Sequence, residues 1–446
     1  MLREPERGKK TKQGETVMKK NEHTAGSLTA RKIAACFYIV LLMLFSLVAC
    51  GSQTDTASAD ASADTQTTQE AEEVTIPAEA SADNTELSAG TWTGQIGDKT
   101  VTLNGAYIVD GIDAVIEGGT WTSEEADQTV FLVVNGGSLT IKDAAVVKTG
   151  GGESGSADAG GGGSDDYNFY GLNSAIVCVG EDSTVNIEHC TVDTDAEGAN
   201  AVFATDSSNI TVSNLEINTL QNSSRGLYAT YGGTITAETV SIITQGAHCA
   251  PLATDRGGGT VTVTGTDNYL EAHGDGSPCI YSTGSISVEG ATGSSEQAQT
   301  LVIEGKNQVS LKDCYLTSSS ENDGIMLYQS MSGDAADKDA SSSVSTLTME
   351  DTTIDYQGDG PLLYVTNTTT EVSISGCTFK NAGSQFVSAA TGRWGSDGSN
   401  GGSLTLTIDG QSVDGEIAAD SISSVLVKLV NGGTFDGTTS GDVTVE

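Results

Sequence analysis

One short template recurs along this chain at a nearly fixed step, and that step limits the folds open to it. It reads apolar, any, apolar, any, any, small or apolar, any, apolar. "SLTIKDAAV" fits from Leu139, "TVNIEHCTV" from Val185, "NITVSNLEI" from Ile210 and "TITAETVSI" from Ile235. The starts at Val185, Ile210, Ile235, Val261, Ile286 and Val309 lie 25, 25, 26, 25 and 23 residues apart. Ala114 to Leu139 is 25, as is Leu347 to Val372. The first two slots are apolar every time. The third holds Ala144, Cys190, Leu215, Val240, Thr266, Ala291, Cys314, Thr352, Cys377 and Gln411.

Ahead of most starts lies another apolar run, such as "AIVCV", "GLYAT", "CIYS", "IMLY" or "PLLYV". Each unit therefore holds two or three short strands separated by turns. The chain has 55 Gly and only 5 Pro, which suits many tight turns and few long helices. A fixed step with alternation inside it is the mark of a solenoid. One unit cannot bury its apolar side alone, but stacked units pile equivalent side chains into columns. A propeller blade needs ~40–45 residues, so this step is too short for one. A two-sheet sandwich would not keep so constant a step. The expected fold is all-β: a right-handed, single-stranded parallel β-helix over residues 90–446. Roughly eleven coils at ~4.8 Å would give a rod of ~50 Å. The pattern resembles the parallel β-helices of the pectate-lyase-like superfamily and of bacterial surface adhesins. That resemblance covers about residues 90–440 and rests on architecture, not on a catalytic motif.

The N-terminus has a different character. Lys9, Lys10, Lys12, Lys19, Lys20, Arg31 and Lys32 precede an apolar run from Ile33 to Ala49. A positive flank, an apolar core and a small residue before the cut are the parts of an export signal. Leu47-Val48-Ala49-Cys50 also resembles the bacterial lipobox. That resemblance implies cleavage before Cys50 and attachment of a diacylglyceryl group to its thiol. The other reading is an uncleaved anchor, since 17 apolar residues are just long enough to span. Both place residues 50–446 outside the cytoplasm, in a bacterial cell envelope and facing outward. Met18 is an alternative start. Residues 50–89 are rich in Ser, Thr, Ala, Asp, Glu and Gln and read as a disordered tether.

The formal charge is −40, and residues 1–49 carry nine basic but only four acidic residues, so the exported part is more acidic still. This argues against nucleic acid. It also favours a surface that collects divalent cations over one that holds anionic polymers.

Six cysteines follow the tether. Cys190, Cys314 and Cys377 fall in the third slot, where other coils carry Ala, Leu or Val, and act there as small apolar side chains. Cys178 and Cys279 belong to the other apolar strand, and Cys249 precedes the turn at Pro251. No spacing suits zinc, and Cys314 and Cys377 sit two coils apart, beyond disulfide reach.

Three steps exceed the period: Leu139 to Val185 by 21, Val309 to Leu347 by 13 and Val372 to Leu406 by 9. The surplus forms loops, where ligand contacts usually sit on a rigid scaffold. The first ends in Asp165-Asp166-Tyr167-Asn168-Phe169-Tyr170. Aromatic rings beside carboxylates and amides hold sugars, with ring stacking and hydroxyl hydrogen bonds. The same rings could instead fold back and anchor the loop. The second, residues 330–343, carries Asp334, Asp337 and Asp339. It offers oxygens for Ca²⁺ without the spacing of a known calcium loop. The third carries Arg393 and Trp394, a possible stacking platform. It falls at the same turn as the second, so the two could form one rim. A further set comes from aligning "FATDSS", "YATYGG" and "LATDRG", which puts Asp206, Tyr231 and Asp255 in one row. Arg256, Arg225 and His248 lie nearby. The outer carboxylates, ~9–10 Å apart, would fall at the upper end of an inverting glycosidase pair.

Lyases of the resembled superfamily use Arg or Lys as base with Ca²⁺ on the uronate. Residues 50–446 contain three Arg, and no tight carboxylate cluster is legible. The expectation is a non-catalytic, monomeric surface lipoprotein that binds an extracellular glycan or neighbouring cell, with its membrane contact through the lipid. A polysaccharide lyase or hydrolase, or a plain stalk, are the alternatives.

Overall fold

Alternating apolar and polar residues set up strands with one face to bury, and the fixed step stacks those faces. The computed structural model describes residues 74–77, 79–151, 165–330 and 344–446. These form a parallel β-solenoid of about 12 turns, one more than the repeat count implies. The expected export signal, Cys50, most of the expected tether and residues 331–343 lie outside the described residues.

Each turn contributes to three faces. The front face is a 14-stranded sheet. Its core runs through strands such as Val202–Thr205, Leu227–Ala229 and Leu252–Thr254, in parallel register. The back face is built from the first two template slots: Ile210 pairs with Val185 and with Ile235, and Val261 with Ile286. The side face carries the third and fourth, with Leu215 between Cys190 and Val240. In the strands Thr184–Asp195, Asn209–Thr219 and Thr234–Thr244 one continuous segment serves both faces.

The corner between back and side faces has a backbone cause. Asp143, His189, Asn214, Thr239, Asp313 and Asp351 stack there with φ of 48°, 55°, 51°, 59°, 51° and 47°. In other coils Gly290, Gly376 and Gly410 take the same place. A left-handed residue turns the strand sharply without leaving the ladder. Short polar residues and Gly adopt that conformation most readily.

Inside, Leu139, Ile141, Val185, Ile187, Ile210 and Val212 are almost fully buried and belong to one continuous core. Each such side chain contributes about 1.5–3 kcal/mol on burial. Cys178, Cys190, Cys279 and Cys314 join that core, and Cys249 is also buried. The six described cysteines are free thiols, Cys377 being only half-buried.

One slot differs from the sequence expectation. Asn268, not Thr266, faces the interior beneath Ala291. Glu238 pairs with Thr264 but Ser241 with Tyr269, so two extra residues fall in the corner around Gly265. Asn268 is satisfied there, accepting from the Val240 N–H at 3.0 Å and donating to the carbonyls of Thr264 and Glu289.

The first turn is covered. Gly90–Ile96 folds back antiparallel on Lys99–Asp110, so the front sheet begins with a hairpin. Before it, Ser81 and Thr85 donate backbone hydrogen bonds to the carbonyls of Glu117 and Val115. The end of the stretch expected as tether thus lies along Asp113–Glu117 and covers an edge that would otherwise be open.

Candidate functional site

The outer face of the front sheet has its own column of side chains. Register places Leu132, Val177, Phe203, Tyr228, Ala253, Tyr281, Val302, Met326, Tyr364 and Ser388 one above another. Apolar groups on an outer face need a cover, and the first half has one.

That cover is helix α1, Asp165–Tyr170. Tyr167, Phe169 and Tyr170 are 1%, 5% and 3% exposed, and they pack with Val177, Phe203 and Tyr228. Coils on either side tie the helix down. Tyr167 donates its hydroxyl to Asp127 at 2.8 Å, and Thr230 donates to the Phe169 carbonyl at 2.9 Å. Arg225 donates to the Asn168 side chain at 2.8 Å. Tyr231 stacks on Tyr170 with centroids 5.6 Å apart and donates to its hydroxyl at 3.1 Å. Gly198 leaves room for this seat, since a Cβ there would meet the Tyr167 ring at 2.7 Å. Tyr167 and Tyr170 therefore anchor the loop. Phe169 reaches the rim of the open region with the Arg256 guanidinium 3.8 Å above its ring.

Past the helix the column is open and forms a groove of about 1060 Å³. Its floor is Tyr281, Val302, Met326 and Tyr364. One wall comes from the turns that lead into the front strands, with His248, Asp275, Gln299, Asn322 and Asp323. Arg393 and Trp394 close the far end. Their loop folds back across the sheet, held by Asn400, which donates to the carbonyls of Gly392 and Trp394, each at 2.9 Å. The Trp394 ring is half-buried, with the Arg393 guanidinium at 4.2 Å and the Tyr328 ring at 4.5 Å.

Glu304 fixes the tyrosines. It is 2% exposed and accepts from Tyr281 at 2.5 Å, from Tyr328 at 2.7 Å and from Ser330. Burial, then the neighbouring phenol and Glu304, pushes the Tyr281 hydroxyl well above its ordinary range, and burial followed by Glu304 does the same to Tyr328. Both stay protonated donors.

Asp323 stands apart. It is 5% exposed, and its Oδ1 is buried without a hydrogen-bond partner. Burial pushes its carboxyl up to about 7, with Gln299 opposing the shift.

The expected row of Asp206, Tyr231 and Asp255 does not form. Ala253 pairs with Tyr228, so Asp255 stands level with Thr230, and Tyr231 lies level with Arg256. The shared "AT" letters suggest an alignment one residue off, whereas the backbone follows the apolar register Leu227 to Leu252. Asp255 is 5% exposed and bonded to the Tyr228 hydroxyl at 2.9 Å. Asp206 is half-buried, its carboxyl raised by burial, and lies outside the groove lining. Of the sequence candidates, the groove brings together Phe169, Arg225, His248, Asp255, Arg393 and Trp394.

The sequence reading missed Tyr281, Asp323, Tyr328, Met326 and Tyr364. The signal was there for four of them: alternation puts Tyr281 of "CIYS", Met326 and Tyr328 of "IMLY" and Tyr364 of "PLLYV" on the outer face. Nothing in the letters marks Asp323.

Among the described residues, no three His, Cys, Asp or Glu side chains are grouped to hold a metal. The possible Ca²⁺ loop lies outside them. No described helix is long and apolar enough to cross a membrane. No protein-family model, characterised protein or solved structure matches this chain.

Proposed function

We propose that the chain is a lipid-anchored surface protein whose front groove binds a glycan without transforming it. The observation that carries this is the groove itself: a floor with Tyr281 and Tyr364 at its ends and Val302 and Met326 between, ended by Trp394 and walled by amides and carboxyls. Sugars bury their C–H faces on such rings while hydroxyls meet the polar wall. The partner is an extracellular glycan or a neighbouring cell bearing one. The anchor rests on Leu47-Val48-Ala49-Cys50 and sits at Cys50.

The test is retention on a glycan array. Trp394→Ala and Tyr364→Ala, each on a half-buried ring, should lose at least tenfold in retention while keeping the wild-type melting temperature within a few degrees. Unchanged retention in both variants would remove the groove from the account. A hydrolase reading draws on Asp323 alone, because a carboxyl held protonated near neutrality is what a general acid needs. It predicts new reducing ends from a polysaccharide panel. The second carboxylate that such a mechanism needs is harder to supply, since Asp255 is already engaged by Tyr228.

A further inference from the structure

The groove contains one polar group whose bonding is incomplete. Buried oxygens in folded proteins nearly always have a partner, so an orphan in a cleft points to something that completes it. Asp323 Oδ1 is such an orphan, on a side chain 95% removed from solvent in the groove wall. Its turn lies just ahead of Ile325–Tyr328, the front strand whose Met326 forms part of the floor. Asp323 and the floor residues Tyr281, Val302 and Met326 line the same groove, so a ligand on that floor lies against the wall that holds Asp323.

We infer that Asp323 is the specificity-determining residue of this groove, accepting hydrogen bonds from the hydroxyl or amine of a non-acidic sugar and turning away uronic acids. This rests on the glycan-binding reading and narrows it. A carboxylate accepts and does not donate once ionised, so it rewards O–H and N–H groups and repels another carboxylate. The surroundings add to the repulsion. Asp275 lines the same wall, and Asp359 lies close enough to influence Tyr356, as Asp323 also does. His248 faces the groove from an earlier coil and Arg393 from its far end, stacked on Trp394. The Arg225 guanidinium is buried against Asn168 and the Tyr228 ring.

The ionisation of Asp323 gives the inference a direction in pH. Burial holds the free carboxyl up near 7, and a donating ligand favours the ionised form. Affinity is then full above that value and falls by up to tenfold per pH unit below it.

The experiment uses an array of neutral, amine-bearing and uronic-acid oligosaccharides, probed at about pH 5.5 and about pH 8.5. Wild type, Asp323→Asn and Asp206→Asn are compared, the last carrying a burial-raised carboxyl outside the groove. The amide keeps the shape of the carboxyl and removes its charge, and a melting curve for each variant confirms folding. Neutral or amine-bearing sugars should be retained by wild type, at least tenfold more weakly at acid pH; which of the two dominates identifies the donor. Asp323→Asn should lose most of the retention and all of the pH dependence, while Asp206→Asn keeps both. Dominant binding of uronic acids, stronger binding at acid pH, or an unchanged profile in folded Asp323→Asn overturns the inference and leaves glycan binding standing. Retention of no sugar by wild type overturns both.

Discussion

At the scale of single residues, the corner column shows how backbone conformation selects side chains. Asp, Asn, His and Gly occupy it in most coils, and Thr239 does so at φ 59°. A β-branched residue is costly there, because its Cβ substituents crowd the preceding carbonyl. Thr239→Asn should therefore stabilise the protein by about 1 kcal/mol, read as a higher urea midpoint at unchanged slope. The column was visible in the letters as D, H, N, T, G, G, D, D, G, G. A period-2 template treats that position as free and so assigns it no role.

Asp323 works in the opposite sense, because its burial costs stability. Its folded carboxyl titrates near 7, while an unfolded aspartate titrates near its ordinary value of ~3.9. Between those values the unfolded chain releases the proton and the folded one keeps it, so stability falls as pH rises. The loss is on the order of 3–4 kcal/mol across that window and flat above it. Asp323→Asn does not titrate there. Thermal melts at a series of pH values should show wild type losing ground to the variant from about pH 4 to about pH 7. Parallel curves would contradict the burial of this group.

At the scale of elements, the sequence was legible wherever a slot repeats and opaque wherever a segment has no period. The cysteine slots could be read because Cys190 and Cys314 replace Ala and Leu in a column that is apolar in most coils. Helix α1 could not be placed that way. Its aromatics suit either a sugar or the sheet, and the choice is made by Phe203 and Tyr228, distant in sequence. Tyr170 is 3% exposed and stacked on Tyr231, so Tyr170→Ala should cost about 3 kcal/mol rather than act on ligand alone. Denaturant unfolding separates the two.

The same packing governs thiol chemistry. Burial pushes Cys178 and Cys279 up to about 12 and Cys190 and Cys249 up to about 11, so little thiolate exists near neutral pH. Cys377 is raised too, but it is only half-buried. Alkylation of the native protein followed by peptide mass spectrometry should label Cys377 first among these six, and the others only after unfolding. Early labelling of Cys190 would mean the column is not closed.

At the scale of the whole molecule, the stacking could be read because each coil repeats one bargain: bury this face, turn, bury the next. The groove could not, because it is a property of neighbouring coils and of two irregular segments. One covers the sheet up to Tyr228, and the other crosses back to meet Tyr328. Solenoid stability is close to a sum over coils and their interfaces, so a coil is removable if the register survives. Leu347 pairs with Val372, a step of 25. Deleting residues 347–371 joins Thr346 to Val372 and puts Val372, Ile374, Phe379 and Val387 into the slots of Leu347, Met349, Ile354 and Leu363. Deleting 347–370 instead puts Glu371 in the slot of Leu347 and turns every side chain of that strand to the wrong face. The first variant should keep β-type circular dichroism and a cooperative melt, with glycan retention lowered by the loss of Tyr364. The second, differing by one residue, should expose apolar surface and bind a hydrophobic dye. Equal behaviour of the two would mean that the interior columns do not set the fold.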